Sequence, residues 1–189
     1  MKSLALFASG RGSNAKNIIE YFKDHPSIKI KLLVSSHKDA GAVQVAKSSN
    51  LACYILDKKE YYGSGDQLVK ELSNNKIDGI VLAGFIWLIP EYLIQLYPQR
   101  IVNIHPALLP KYGGKGMYGL HVHEAVWKNR ESISGITIHE VNSSYDEGAI
   151  IYQKTCVLEK DDMPEDIALK VHALEYAYYP KTIESFFDR

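Results

Sequence analysis

SLALFASGRGSN, residues 3–14, is the stretch whose reading decides the architecture. Ser3 to Ala8 is a short, almost unbroken apolar run, the pattern of a strand buried on both faces. The turn Ser9-Gly10-Arg11-Gly12-Ser13-Asn14 follows and opens a helix over about 14–22. Glycines let backbone come close to an anion, and the free N–H groups of a helix start point toward it. Ser13 and Asn14 add side-chain donors, and Arg11 adds charge. No Gly-Lys-Ser/Thr follows, so this is not a Walker A loop, and Ala15 stands where a dinucleotide fingerprint has its third glycine. The simpler alternative is a tight turn with Ser13 or Asn14 as helix cap.

Working outward, the strand–helix alternation repeats. Strands are predicted at 28–35 (IKIKLLVS), 51–55 (LACYI), 78–83 (DGIVLA) and 101–104 (IVNI). Helices are predicted from an Asp39 cap through Val45 and over 66–73. Continuous apolar strands alternating with helices make a parallel sheet covered on both faces. Segments 132–141 and 149–158 instead alternate in the antiparallel manner. A last helix starts near Pro164, with Pro180 as a kink within it. The expected fold is α/β: an open, mostly parallel Rossmann-like sheet with helices on both faces and antiparallel strands toward the C-terminus, one domain over 1–189. In such sheets ligands sit outside the carboxyl ends of the strands, which directs attention to loops 9–14, 84–89, 103–118 and 142–148.

Composition narrows the function. Twenty-two Lys and Arg balance 22 Asp and Glu, with no basic run, against bulk attraction for nucleic acid. The first residues lack a signal peptide's pattern and no segment is long and apolar enough to span a bilayer, so a cytoplasmic, membrane-free protein is expected. Cys53 and Cys156 have no CxxC spacing and read as buried reduced thiols rather than a disulfide or metal site.

Strand 101–104 runs into NIHPALLPKY (103–112). Asn103 and His105 are two apart, so in extended backbone both point to one side. An amide donor beside an imidazole suits chemistry in which negative charge develops on a carbonyl oxygen. A lone histidine capping a strand is the alternative.

NIHPALLPKY resembles the signature of the folate-dependent formyltransferases, specifically the phosphoribosylglycinamide formyltransferases. The likeness continues in family order through FASGRGSN (7–14), DGIVLAGFIWLIP (78–90), GLHVH (119–123), SGITIHEV (134–141), YDEGAII (145–151) and ALEYAYYP (173–180). It implies transfer of the formyl group of 10-formyltetrahydrofolate to the amine of 5-phosphoribosylglycinamide, two small-molecule substrates, with no metal and a monomer or homodimer. The family's catalytic trio falls on Asn103, His105 and Asp146, with protonated His105 and Asn103 donating to the oxyanion and Asp146 raising the pKa of His105. The resemblance places the substrate phosphate on Gly12, Ser13 and Asn14 and the ribose on Glu175 and His172, where well-known bacterial members have Gln. It places the folate along Phe85, Ile86, Trp87, Leu88 and Ile89, with Trp87 standing for a usual Arg. His121 and His139 match family histidines and read as supporting groups. After Tyr112, GGKGMYGLHVH is longer than the corresponding bacterial connection, and residues 113–118 read as a glycine-hinged flap, with a passive surface insertion as the alternative. The alternatives are a 10-formyltetrahydrofolate deformylase, which usually carries an extra N-terminal domain, and a non-catalytic folate- or nucleotide-binding module. A methionyl-tRNA formyltransferase usually has Gly at position 106.

Overall fold

The computed structural model describes residues 1–188. The chain lays down β1 (Lys2–Ala8), α1 (Ser13–Tyr21), β2 (Ile28–Ser35), α2 (Gly41–Ser48) and β3 (Ala52–Ile55). It continues through α3 (Lys58–Tyr62), α4 (Asp66–Asn74), β4 (Gly79–Leu82), α5 (Glu91–Leu96) and β5 (Ile101–His105). α6 (Leu120–Lys128), β6 (Ile133–Glu140), β7 (Ile150–Val157) and α7 (Pro164–Phe187) complete it. The strands form one sheet in the order β3-β2-β1-β4-β5-β6-β7. The first five are mutually parallel, and β6 and β7 are antiparallel additions.

β1 is the hub. The chain grows from it to β2 and β3, then returns to lay β4 on its other side. The loops leaving β1 and β4 therefore diverge, opening the crevice in which such sheets bind ligands. The Ser9 amide bonds the Gly84 carbonyl at 3.1 Å, tying the two loops at that point. Leu4, Leu6 and Ala8 pack against residues of α1, α2, α6 and α7 such as Ile18, Ala42, Val126 and Val171. Ala5 and Phe7 face Tyr61, Leu68, Leu72 and Leu93 of α3, α4 and α5. That two-sided burial is why β1 reads as an unbroken apolar run.

Several local expectations change. α2 begins at Gly41 with Ala40 as its cap residue and no side-chain cap, so Asp39 lies one residue outside the position assigned to it. Cys53 is exposed and Cys156 half-buried, so both thiols are free but not buried; Cys53 lies on edge strand β3, where one side is open. α3 and α5, of five and six residues, carry too little periodicity to stand out in the sequence. α7 continues through Pro180. Proline has no N–H for the Tyr176 carbonyl four residues back, and Asn17 of α1 supplies the missing donor from Nδ2 at 3.1 Å. Tyr179 beside it is fully buried and donates to the carbonyls of Leu82 at 2.8 Å and Val102 at 3.2 Å, fastening α7 to the ends of β4 and β5. Among the described residues, no helix is long and apolar enough to cross a membrane.

Candidate active site

Asn103 and His105 close β5, at the carboxyl edge of the sheet. Across the antiparallel pairing, His139 of β6 stands opposite Asn103. His139 Nδ1 lies 2.8 Å from the Glu140 carbonyl, which makes that nitrogen the N–H donor. Its Nε2 lies 3.1 Å from Asn103 Nδ2 and accepts one of the two amide hydrogens. The second amide hydrogen of Asn103 is left for another acceptor. His105 Nε2 is 2.7 Å from the Tyr112 carbonyl, fixing it as a donor, and Nδ1 faces Asp146 Oδ2 at 3.4 Å.

Asp146 reaches this place by a different route from the one expected. β6 is antiparallel, so it ends beside the start of β5, where the Val141 amide bonds the Ile101 carbonyl. The 141–149 loop must fold back along the sheet to bring Asp146 to His105. Asp146 adopts a left-handed φ of 58°, uncommon for a residue with a side chain. Its Oδ2 accepts from the Gly114 amide at 2.9 Å and its Oδ1 lies 3.6 Å from His139 Nε2. Loop 142–148 thus meets both β5 and the 113–118 segment.

The charge states follow from these neighbours. Burial lowers the pKa of His105, and this outweighs the upward pull of Asp146 and of the Tyr112 carbonyl. The balance therefore favours the neutral ring, whereas the pull of Asp146 alone would favour the imidazolium. For Asp146, burial works upward but is outweighed by downward influences, among them the donating Gly114 amide, so it remains ionised. A neutral imidazole beside a fixed carboxylate can take up a proton and hold it.

The glycine turn lies at the neighbouring strand end. Gly12 is the cap residue of α1 in left-handed backbone (φ 81°), and no side chain caps the first-turn amides, which leaves them for a ligand. Neither Ser13 nor Asn14 is the cap. A Cβ on Gly12 would stand 2.5 Å from the Ala42 Cα, so the glycine is also required for α1 to start against α2. Arg11, His37 and Lys38 line an adjoining groove of about 810 Å³.

Asn14 turns away from the cap position and donates to Glu175 Oε2 of α7 at 2.9 Å. His172, one turn earlier, has Nε2 3.8 Å from the same oxygen. Burial raises the Glu175 carboxyl to about 7, against a downward pull from Asn14. Asn14, His172 and Glu175 therefore form one cluster between α1 and α7.

The five residues placed along the folate, Phe85 and Ile86 as an apolar wall and Trp87, Leu88 and Ile89 through their backbone, differ in setting. Ile89 is core, packed with Leu93 and Leu68, and the Leu88 carbonyl accepts the Tyr61 hydroxyl at 3.1 Å. Ile86 is exposed and its amide donates to Ser9 Oγ at 3.3 Å. Phe85 and Trp87 belong to an aromatic group with Tyr61, Tyr62 and Phe7, and Lys58 Nζ lies 5.8 Å over the Trp87 ring. The sequence reading missed Lys58 and Tyr62 in this group, and His123 on α6, which no local pattern separates from an ordinary core histidine. His121 is exposed against Tyr118, whereas His139 touches both Asn103 and Asp146.

Comparison with known proteins settles the lineage. The formyl transferase family profile matches residues 2–183. The chain belongs to the formyl transferase family. Among curated relatives of this formyl transferase, a chloroplastic phosphoribosylglycinamide formyltransferase of Arabidopsis thaliana is 40% identical over 187 residues, and that of Bacillus subtilis (strain 168) is 32% identical over 188. These alignments cover 96% and 97% of this chain. The chain spans 64% of the Arabidopsis protein, 60% of a related Vigna unguiculata protein and 94% of the Bacillus subtilis one. A solved phosphoribosylglycinamide formyltransferase from Bacillus Halodurans superposes with a TM-score of 0.89 at 34% identity, covering 100% of this chain and 96% of that one.

Proposed function

We propose that this formyl transferase moves the formyl group of 10-formyltetrahydrofolate to the amine of 5-phosphoribosylglycinamide, a step of de novo purine biosynthesis. The observation that carries the reading is the contact of neutral His105 with ionised Asp146 beside Asn103, in a chain alignable end to end with a bacterial phosphoribosylglycinamide formyltransferase.

The residues divide the work as follows. The amine attacks the formyl carbon, and the spare Asn103 hydrogen stabilises the charge that develops on the formyl oxygen. His105 Nδ1 takes the proton the amine must lose, and Asp146 stabilises the imidazolium so formed. The same proton then passes to the departing folate nitrogen, so no net charge remains on the protein. The first-turn amides of α1, from Gly12, Ser13 and Asn14, hold the phosphate, with charge from Arg11 and Lys38. Glu175 and His172 take the ribose hydroxyls. Phe85, Ile86 and Trp87 line the folate side, and backbone at Leu88 and Ile89 meets the pterin edge. No metal participates in this scheme.

The test is turnover of glycinamide ribonucleotide with 10-formyltetrahydrofolate, with water alone as the competing acceptor. The ribonucleotide-dependent rate should dominate, and His105→Ala should lower it by roughly two orders of magnitude with folding retained. Formyl loss at the same rate without the ribonucleotide would identify a deformylase instead.

A further inference from the structure

His123 lies on the buried side of α6 with 2% of its surface exposed, and its Nδ1 is sealed from solvent with no hydrogen-bond partner among the described residues. A buried polar atom left unpaired is costly, so native structures seldom keep one without a use. A second such atom, Asn14 Oδ1, belongs to the Asn14–Glu175 cluster. The two orphans thus border a common region, because the His123 ring stands edge-on to His172 at 6.5 Å between centroids, and His172 adjoins Glu175.

His123 also senses the opposite end of the site. Burial pushes its pKa down to about 4, with the nearby His172 and His105 adding to the shift. It therefore sits between the ring assigned to proton transfer and the pair assigned to the ribose. We propose that His123 is a further substrate-binding residue, whose Nδ1 hydrogen-bonds the amide that links the ribose to the reacting amine. This rests on the functional reading above.

The chemistry fits the position. The span between ribose and amine in glycinamide ribonucleotide is a secondary amide, which offers one donor and one acceptor. A neutral imidazole also offers one of each, and either tautomer pairs with one side of the amide. Because the ring is neutral, it does not repel an approaching amine as a cation would. Bound substrate would replace an unpaired nitrogen with a made hydrogen bond, so the interaction favours ligands that contain this amide over ribose phosphates that lack it.

The test begins with the intact protein labelled with 15N-histidine. Saturating glycinamide ribonucleotide should shift the His123 ring-nitrogen resonances, whereas ribose 5-phosphate should leave them in place. His123→Leu should raise the KM for the ribonucleotide about tenfold or more, leave the KM for the folate within twofold, and not lower the Tm. His123→Asn, which keeps an amide donor and acceptor, should recover part of the loss. Should His123→Leu fail to fold, the labelled wild type still decides. Resonances unmoved by the ribonucleotide, moved equally by ribose 5-phosphate, or a Leu variant with unchanged KM would overturn the assignment. A wild type that transfers formyl to no glycinamide ribonucleotide would overturn the functional reading and this one together.

Discussion

At the residue scale, Asp146 carries two burdens that a single substitution can separate. Its backbone is left-handed, which asparagine tolerates better than alanine. Asp146→Asn should therefore keep the loop and the Gly114 contact while removing the charge. Turnover should fall roughly 100-fold or more with Tm nearly unchanged, measured by steady-state kinetics and thermal melting. The sign of the pH dependence follows from His105, whose burial holds its pKa below the ordinary histidine value. With the neutral ring as the proposed proton acceptor, kcat/KM should fall as pH drops through that lowered value. In Asp146→Asn the upward pull is lost, and the acidic limb should move further down. A limb at or above the ordinary histidine value would contradict the neutral-base role.

Two glycines of the same turn make a further contrast at this scale. A Cβ on Gly10 meets nothing within 4 Å, whereas one on Gly12 would meet the Ala42 backbone at 2.5 Å in left-handed geometry. Gly12→Ala should thus lower Tm, by on the order of 1–3 kcal/mol of stability. Gly10→Val should leave Tm almost unchanged and raise the KM for the ribonucleotide, because its bulk projects where the phosphate approaches. Equal effects of Gly10→Val on both substrates would argue against an anion site at this turn.

At the element scale, the 113–118 segment is the proposed flap. Gly114 and Gly116 have φ of 98° and 90°, and Tyr118 is exposed, but the Gly114 amide is pinned to Asp146. The hinge must then lie beyond Gly114, toward Gly116 and Gly119, the latter also left-handed at φ 55°. Deleting 115–117 should change the KM for the folate more than that for the ribonucleotide. Both constants and turnover staying within twofold would mark the segment as a passive connection, which loops of this length tolerate at little cost.

At the scale of the whole molecule, α7 ties the sheet, α1 and the Asn14–His172–Glu175 cluster together, and Glu175 is its most buried charge-bearing group. Its folded pKa of about 7 lies above the ordinary 4.5. A carboxyl raised on folding contributes stability that is fully present below 4.5 and is lost as pH rises through about 7. Glu175→Gln should therefore match wild type near pH 4 and exceed it by roughly 3 kcal/mol above pH 8, read by denaturant unfolding at each pH. A constant difference across that window would mean that Glu175 is already ionised in the fold.

The sequence by itself determined the parallel sheet, because two-sided burial keeps β1 from Leu4 onward, Leu32 to Val34 of β2 and all of β4 apolar. It also placed Asn103 and His105 on one side, since strand alternation has a fixed period of two. The family likeness carried the trio and the α7 residues, but not the physics between them. Only the tertiary structure decided that the His105 pKa is lowered, because the burial that lowers it comes from elements far apart in the chain. Asp146 could not be placed by the rule of carboxyl strand ends, since its loop leaves an antiparallel strand at the opposite edge and folds back. Asn17 answering Pro180 and His123 standing beside His172 are likewise invisible locally. In each case the deciding contact joins residues that only helix packing across the sheet brings together.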